Sequence, residues 1–247
     1  MNTTPDLPRT PDPRPTHDKD AALVQAMFDR VAPRYDLANT IFSAGQDRHW
    51  RRVAAQAAAA RPGQLALDVA GGTGALALDL ADSGARVIAL DFSWNMVATG
   101  ARRARERGDG RVWWCNGDGT RLPLADASVD VVTIAFGLRN LPDTRAGLAE
   151  FARVTRPGGR LVVLEFSHPT WAPFRTLYTR YLVGAIPRLA KVVTSDPAAY
   201  RYLAESIQAW PDQAALADLI ASAGWTGVQV ANLSGGIVAV HRATRGE

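Results

Sequence analysis

The feature that most constrains this chain is a glycine-rich turn closing an apolar run. Residues 64–70 (QLALDVA) lead into Gly71-Gly72-Thr73-Gly74. A short apolar run bounded by glycines reads as a buried strand. Ala75–Asp82 reads as a helix, and a second apolar run, Arg86–Leu90, ends at Asp91. Strand, glycine turn, helix, strand and acid open a parallel α/β unit, whose ligands sit at the carboxyl edge of the strands.

The alternation continues. A helix is expected from Ser93 to about Glu106, a third strand over Arg111–Cys115 and a fourth over Val129–Ala135. Thr144–Thr155 reads as a helix that stops at Arg156-Pro157-Gly158-Gly159, where proline and glycine break the pattern. Arg160–Phe166 is a fifth strand. Asp196–Ala209 and Pro211–Ala223 are two further helices, and Trp225–Asn232 and Gly236–His241 the last strands. Ala21–Asp29 and Arg48–Ala60 are helical ahead of the first strand. Strands apolar throughout imply a sheet covered on both faces. The first 20 residues carry prolines at 5, 8, 11, 13 and 15 and read as a disordered tail. The expected organisation is that tail and one domain over 21–247. The domain comprises an N-terminal helical lid (21–60), a ligand-binding core (64–168), a helical insertion (169–210) and the last helix and strands (211–242).

Composition excludes several classes. With 47% apolar and 21% charged residues the chain is neither fibrous nor disordered as a whole. One cysteine, Cys115, rules out a disulfide framework and a multi-cysteine zinc site, and fits a reducing cytoplasm. Four scattered histidines (His17, His49, His168, His241) suggest no metal cluster. No secretory signal is visible. The uncharged stretch Leu219–Val240 is broken by Gly224, Gln229, Asn232, Ser234, Gly235 and Gly236, so it is no membrane span. A net charge of +4 is mild, and the densest basic run, Arg102–Arg107, reads as a solvated helix face.

The glycine turn is not GxGxxG and no Walker lysine follows it. Asp68 stands just before it. A carboxylate there disfavours pyrophosphate and favours a cationic ligand, such as one with an amino group or a sulfonium; the alternative, a structural aspartate in a glycine-rich turn, ranks below it because a second acid follows. Asp91, about 20 residues past the glycines, stands where an acid commonly accepts hydrogen bonds from a ribose. Asp118, just past the third strand, is placed to meet an adenine edge, although Asn116-Gly117-Asp118-Gly119 is also strong turn chemistry.

Together these features resemble the class I S-adenosylmethionine-dependent methyltransferases, over about Gln64–Phe166 plus the last two strands. The resemblance implies a Rossmann-like, seven-stranded, mostly parallel sheet with helices on both faces and an antiparallel last strand. It implies S-adenosylmethionine as methyl donor and no metal. Asp68, Gly71, Gly72, Thr73, Gly74 and Asp91 would hold the donor, and Asp118 and Gly119 its adenine.

Five further segments narrow the match: Phe28–Asn39 (FDRVAPRYDLAN) with Ser43-Ala44-Gly45 and Trp50, Phe136–Asn140 (FGLRN), Arg153–Gly159 (RVTRPGG), Glu165-Phe166-Ser167, and Tyr200–Ile207 (YRYLAESI). In that order they resemble the UbiE/MenG family of quinone C-methyltransferases. The family usually has Met where Ala38 stands, His where Asp47 stands, and often a cofactor-contacting Ser where Ala135 stands. The resemblance implies C-methylation of demethylmenaquinol to menaquinol; some members also methylate the benzoquinol precursor of ubiquinone.

Such a reaction needs alignment, exclusion of water and a proton acceptor. Arg139 is the candidate for orienting a quinol oxygen, or else an ion-pair partner of Asp130 or Asp143. His168, Tyr202, Glu205 and His49 are candidates for proton handling; Tyr202 and Glu205 lie three apart on one helix. Tyr35, Asn39, Phe42 and Trp50 would close the other side of the pocket. The partner is a polyprenyl quinol. Residues 169–195 carry Trp171, Phe174, Leu177, Tyr178 and Tyr181 with four cations and no acid. That is the composition of a segment resting on an anionic bilayer, or of a cap whose aromatics are core. The expected location is cytoplasmic, peripheral on the inner face of the cell membrane. A nucleic-acid methyltransferase competes, but the run after the fourth strand is Phe136-Gly137-Leu138-Arg139 rather than Asn/Asp-Pro-Pro-aromatic, so no nucleic-acid partner is expected. A non-catalytic quinone-binding protein is opposed by the intact glycine turn and Asp91.

Overall fold

The computed structural model describes residues 40, 43–185 and 197–247. The expected tail, the helix Ala21–Asp29 and the lid residues Tyr35, Asn39 and Phe42 lie outside them. In chain order the elements are α1 (Gln46–Ala58), β1 (Leu65–Val69), α2 (Ala75–Asp82), β2 (Arg86–Asp91), α3 (Trp94–Glu106), β3 (Val112–Asn116), β4 (Val129–Ala135), α4 (Thr144–Val154), β5 (Thr155–Phe166), α5 (Ala172–Arg180), α6 (Pro197–Gln208), α7 (Gln213–Ser222), β6 (Trp225–Leu233) and β7 (Val238–Arg245). A 3₁₀ turn, Leu138–Asn140, links β4 to α4, and a π-helical turn, Tyr181–Ala185, extends α5.

The strands form one seven-stranded sheet in the order β3-β2-β1-β4-β5-β7-β6. The first five run parallel; β7 is antiparallel to both β5 and β6. This is the class I arrangement. Strand order reverses between β1 and β4, which opens a crevice at their carboxyl ends.

The two faces bury different halves of each strand. Ala66, Val87, Val131, Val162 and Leu164 pack beneath α1, α2 and α3. Leu67, Leu90, Val132, Ile134, Leu161 and Val163 pack beneath α4 and α7. Period-two alternation with apolar residues on both sides is what a doubly covered sheet requires. On the second face Trp225 is fully buried and its indole N–H donates to the Leu148 carbonyl at 3.0 Å, joining the last strands to α4.

Side-chain caps fix three helix starts: Ser93, Asp143 and Asp212 accept from the amides of Met96, Ala146 and Ala215. One expectation is corrected. The helix stops where expected, but the fifth strand begins at Thr155 rather than Arg160, so Arg156–Gly159 belong to β5, which shifts register against β4 between Val129 and Val131. Gly158 takes φ +73°, and a Cβ on Gly159 would sit 3.0 Å from the Asp130 carbonyl. Glycine turns the expected break into a bulge. Among the described residues no helix is long and apolar enough to cross a membrane.

Candidate active site

A cleft opens where β1, β2 and β4 end, lined by Asp68, Gly71, Gly72, Thr73, Asp91, Asp118, Gly119, Phe136 and Asn140 among others. Most of the expected donor-binding residues therefore share one cavity. Gly74 does not line it. A Cβ on Gly74 would come within 2.1 Å of the Trp114 ring, and its φ is +84°. This glycine serves the packing of Trp114 and the start of α2. Gly72, at φ +57°, has open space where a Cβ would stand, so it is the glycine that exposes backbone to the cleft. Gly119 is there to let the turn after β3 lie on Val69 and Leu141.

Asp91 ties the loop together. Its carboxylate accepts from the amides of Gly72 and Ser93, each at 2.9 Å. Asp118 is exposed at the rim, and one oxygen accepts from both the amide and the hydroxyl of Thr120 at 2.8 Å. Its turn role and its place at the cleft thus coexist.

Asp68 is buried on β1. The parallel register sets it opposite Thr133 of β4, whose hydroxyl donates to Oδ1 at 2.6 Å. Its other oxygen has no hydrogen-bond partner among the described residues. Burial first, then the charges of Asp91 and Asp79, push its carboxyl up to about 7.

Arg139 sits in the 3₁₀ turn, buried behind the cleft; its neighbours Gly137 and Asn140 line the cavity and it does not. Its Nη1 donates to Glu165 Oε1 at 2.7 Å and to the Phe136 carbonyl at 2.6 Å. Its guanidinium lies 5.2 Å from the Phe166 ring centre. The ion pair expected with Asp130 or Asp143 is not formed. Asp130 pairs with Arg156 and holds the Leu65 amide, while Asp143 caps α4. Glu165 is raised by burial, which outweighs the opposing pull of Arg139.

Phe136 lines the cleft and is backed by two aromatics that do not reach it. Phe136 packs against Phe166 with centroids 4.9 Å apart and against Trp50 at 6.0 Å. Trp50 is buried rather than poised at an opening, and its indole N–H donates to Ser234 Oγ at 2.9 Å. Phe136 takes φ +56° and Ala70, at the end of the neighbouring strand, φ +50°. Bulky side chains seldom adopt that region, and such strain concentrates at ligand sites. At Phe136 it turns the carbonyl toward Arg139 and Asn140.

The proton-handling candidates separate. Tyr202 donates to Asn140 Oδ1 at 3.1 Å, which brings it to the cleft's edge. Glu205, three residues on, is exposed, as is His49. His168 Nε2 lies 2.7 Å from the Trp210 carbonyl, so the ring donates there and the histidine joins β5 to the segment after α6. Sequence reasoning did not single out Thr133, Glu165, Asn140, Arg51 or the lining role of Phe136. Only the FGLRN and Glu165-Phe166-Ser167 runs hinted at three of them.

Comparison with known proteins agrees with this geometry. The chain matches the ubiE/COQ5 methyltransferase family over residues 16–245. It is 58% identical over 228 residues to the demethylmenaquinone methyltransferase of Mycolicibacterium paratuberculosis, covering 92% of this chain and 96% of that protein. It is 55% identical to that of Beutenbergia cavernae, covering 94% and 95%. Among solved structures it resembles the YcgJ protein of Bacillus subtilis (TM-score 0.61, 16% identity, 81% of this chain and 99% of that one). It also resembles a SAM-dependent methyltransferase of Aquifex aeolicus (TM-score 0.56, 19% identity, 74% and 83%). These structural likenesses establish the fold.

Proposed function

Because the chain belongs to the ubiE/COQ5 methyltransferase family, we propose that it transfers a methyl group from S-adenosylmethionine to a ring carbon of demethylmenaquinol, giving menaquinol. The observation that carries the reading is Phe136. It lines the cleft that bears Gly72 and Asp91. We take Phe136 as the residue where a cofactor end and an aryl-binding end meet, with Trp50 and Phe166 packed behind it.

The donor fits the residues present. Gly72 leaves room for backbone approach, Asp91 offers a carboxylate for hydroxyl groups, and Asp68 points an unpartnered oxygen at a site suited to positive charge. S-adenosylmethionine supplies an electrophilic methyl on a sulfonium, which the ring carbon takes as the thioether leaves and the ring proton departs.

The protein's own tasks follow from its side chains. Arg139, locked by Glu165 and the Phe136 carbonyl, would orient a quinol oxygen and favour its ionised form, which makes the neighbouring ring carbon more nucleophilic. We assign the proton path to Tyr202 and Asn140, with Glu205 and His168 as outer alternatives; the 3.1 Å hydrogen bond at the cleft's edge supports the first pair. The apolar wall excludes water around the reacting atoms.

A prenylated substrate lives in the bilayer, and α5 bears the matching surface. Trp171, at the N-cap of α5, and Leu177 within it are 69% and 64% exposed, and Arg175 and Arg180 are exposed on the same segment. We infer peripheral contact with anionic lipid through this face. Trp171→Glu with Leu177→Glu should abolish co-sedimentation with anionic liposomes while leaving turnover of a tail-less quinol unchanged. Unchanged sedimentation would remove this face from the account.

The reaction is tested with labelled donor and reduced demethylmenaquinol, with the benzoquinol precursor in parallel. Label in menaquinol supports the proposal. Label only in the benzoquinol product would move the protein to ubiquinone synthesis.

A further inference from the structure

We propose that Asp68 distinguishes the methyl donor from its spent product, and that it does so by releasing a proton when a cation enters the cleft. The inference rests on the methyl-donor reading of the cleft and on a geometric oddity within it. Asp68 is 1% exposed, yet only one of its oxygens is satisfied. Oδ1 takes the Thr133 hydroxyl at 2.6 Å. Oδ2 lies beneath Gly71, where a Cβ would stand 3.1 Å away; the Ala77 amide of α2 turns toward the carboxyl and favours its charged form, but Oδ2 accepts no hydrogen bond from the described residues. An orphaned carboxylate oxygen at this depth is costly, and an ion or a proton is the natural remedy.

Its surroundings decide which. Asp91 reaches the same cleft from β2, and Asp79 of α2, outside the cleft lining, adds its charge to Asp68 from behind. Thr133, from β4, brings a hydroxyl and no charge. Among the described residues Arg51 of α1 is the cation that lines the cleft, and its guanidinium is engaged by Asp47 at 2.6 Å. Asp79 is in turn faced by Arg51, Arg107 and Arg52, so its charge is partly offset, while Asp68 and Asp91 face each other across the cleft. Burial and the neighbouring carboxylates hold the Asp68 carboxyl near neutrality, at about 7. The ligand-free protein therefore carries a mixture of acid and carboxylate at physiological pH.

The two ligands of this cleft differ at one atom. The donor's sulfur is a permanent cation, and the product's sulfur is a neutral thioether; their ammonium, carboxylate and nucleoside groups are alike. A carboxylate beneath the loop favours the cation, and the cation favours the carboxylate. Linkage then ties donor affinity to pH. Below the carboxyl's midpoint the donor must expel a proton to bind. Above it the charge is already in place.

The test is calorimetric titration of the whole protein with S-adenosylmethionine and with S-adenosylhomocysteine, at pH 6, 7 and 8. Two buffers of different ionisation enthalpy count the protons. The wild type should release about half a proton per donor bound at pH 7 and fewer for the product, and the donor-to-product affinity ratio should rise about tenfold from pH 6 to pH 8. Asp68→Asn keeps an acceptor for Thr133 but cannot ionise; release and ratio change should both vanish. Asp79→Asn should retain both. Thr133→Val removes a donor that favours the charged form and should move the midpoint upward. Proton release that persists in Asp68→Asn, or a wild-type ratio flat with pH, would overturn the proposal while leaving the cofactor site intact. If Asp68→Asn does not fold, an unmoved midpoint in Thr133→Val overturns it. A wild type that binds neither ligand would instead overturn the methyl-donor reading itself.

Discussion

Replacing Asp91 with alanine should weaken both the ligand-free fold and donor binding, by separable amounts. The carboxylate is 8% exposed and accepts from two amides, Gly72 and Ser93, each at 2.9 Å. Both bonds are charge-assisted, a class worth about 1.5–3 kcal/mol each, and water entering the vacated space returns part of that. The expected loss of unfolding free energy is about 2–4 kcal/mol, read from urea melts without ligand. The ribose contact adds a further loss confined to the complex, about 1.5–3 kcal/mol, or roughly 10- to 150-fold in Kd for S-adenosylhomocysteine. Asp91→Asn keeps one acceptor and turns an N–H toward the second amide, so it should fall between. If stability drops and Kd holds within about twofold, Asp91 is a loop tether and the ribose assignment is wrong. If neither moves, the tether is wrong as well.

Other consequences are equally specific. Asp68 has a folded-state pKa of about 7 against an ordinary value of 3.8. Its contribution to stability is therefore fully present below about pH 4 and is lost as pH rises toward 7. Ligand-free Asp68→Asn should lack this fall when urea midpoints are compared from pH 4 to 8. Glu165→Ala strips a buried guanidinium of its counter-ion and should cost about 3–5 kcal/mol in urea melts; Glu165→Gln, which keeps an acceptor for Arg139 Nη1, should cost less and lower kcat more than it raises KM. A loss of stability below about 1 kcal/mol in both variants would mean that the Arg139 pair is not the anchor described. Tyr202→Phe removes one hydrogen bond to Asn140, so stability should fall by about 0.5–1.5 kcal/mol and donor Kd should hold, while kcat drops. An unchanged kcat would take Tyr202 out of the proton path.

Much of the fold was legible because it rests on local pattern. The apolar runs and the glycine turns act within a few residues, so β1, β2, β4, α2 and α3 could be read nearly to the residue, while the start of β5 and the end of β7 were missed by four or five residues. The antiparallel last strand came from family resemblance, not from periodicity. What escaped was set by contacts distant in sequence. Thr133 holds Asp68 across 65 residues through the β1–β4 register, and Glu165 meets Arg139 across 26. Neither distance leaves a trace in a window of ten. Gly74 looked like a ligand glycine because glycine has two uses, positive φ and close approach, and only the position of Trp114 tells them apart. Glu205 and Tyr202 shared a predicted helix face, but helical spacing alone does not say which of them turns inward.

The most direct test of the central claim is the position of the transferred methyl group. Turnover of demethylmenaquinol with a trideuteromethyl donor, followed by mass spectrometry and NMR of the product, locates it without ambiguity. The account predicts deuterium on the ring carbon, with Arg139→Ala and Phe136→Ala both slowing its appearance. Label on a quinol oxygen, or donor binding with no transfer to the ring, would contradict it.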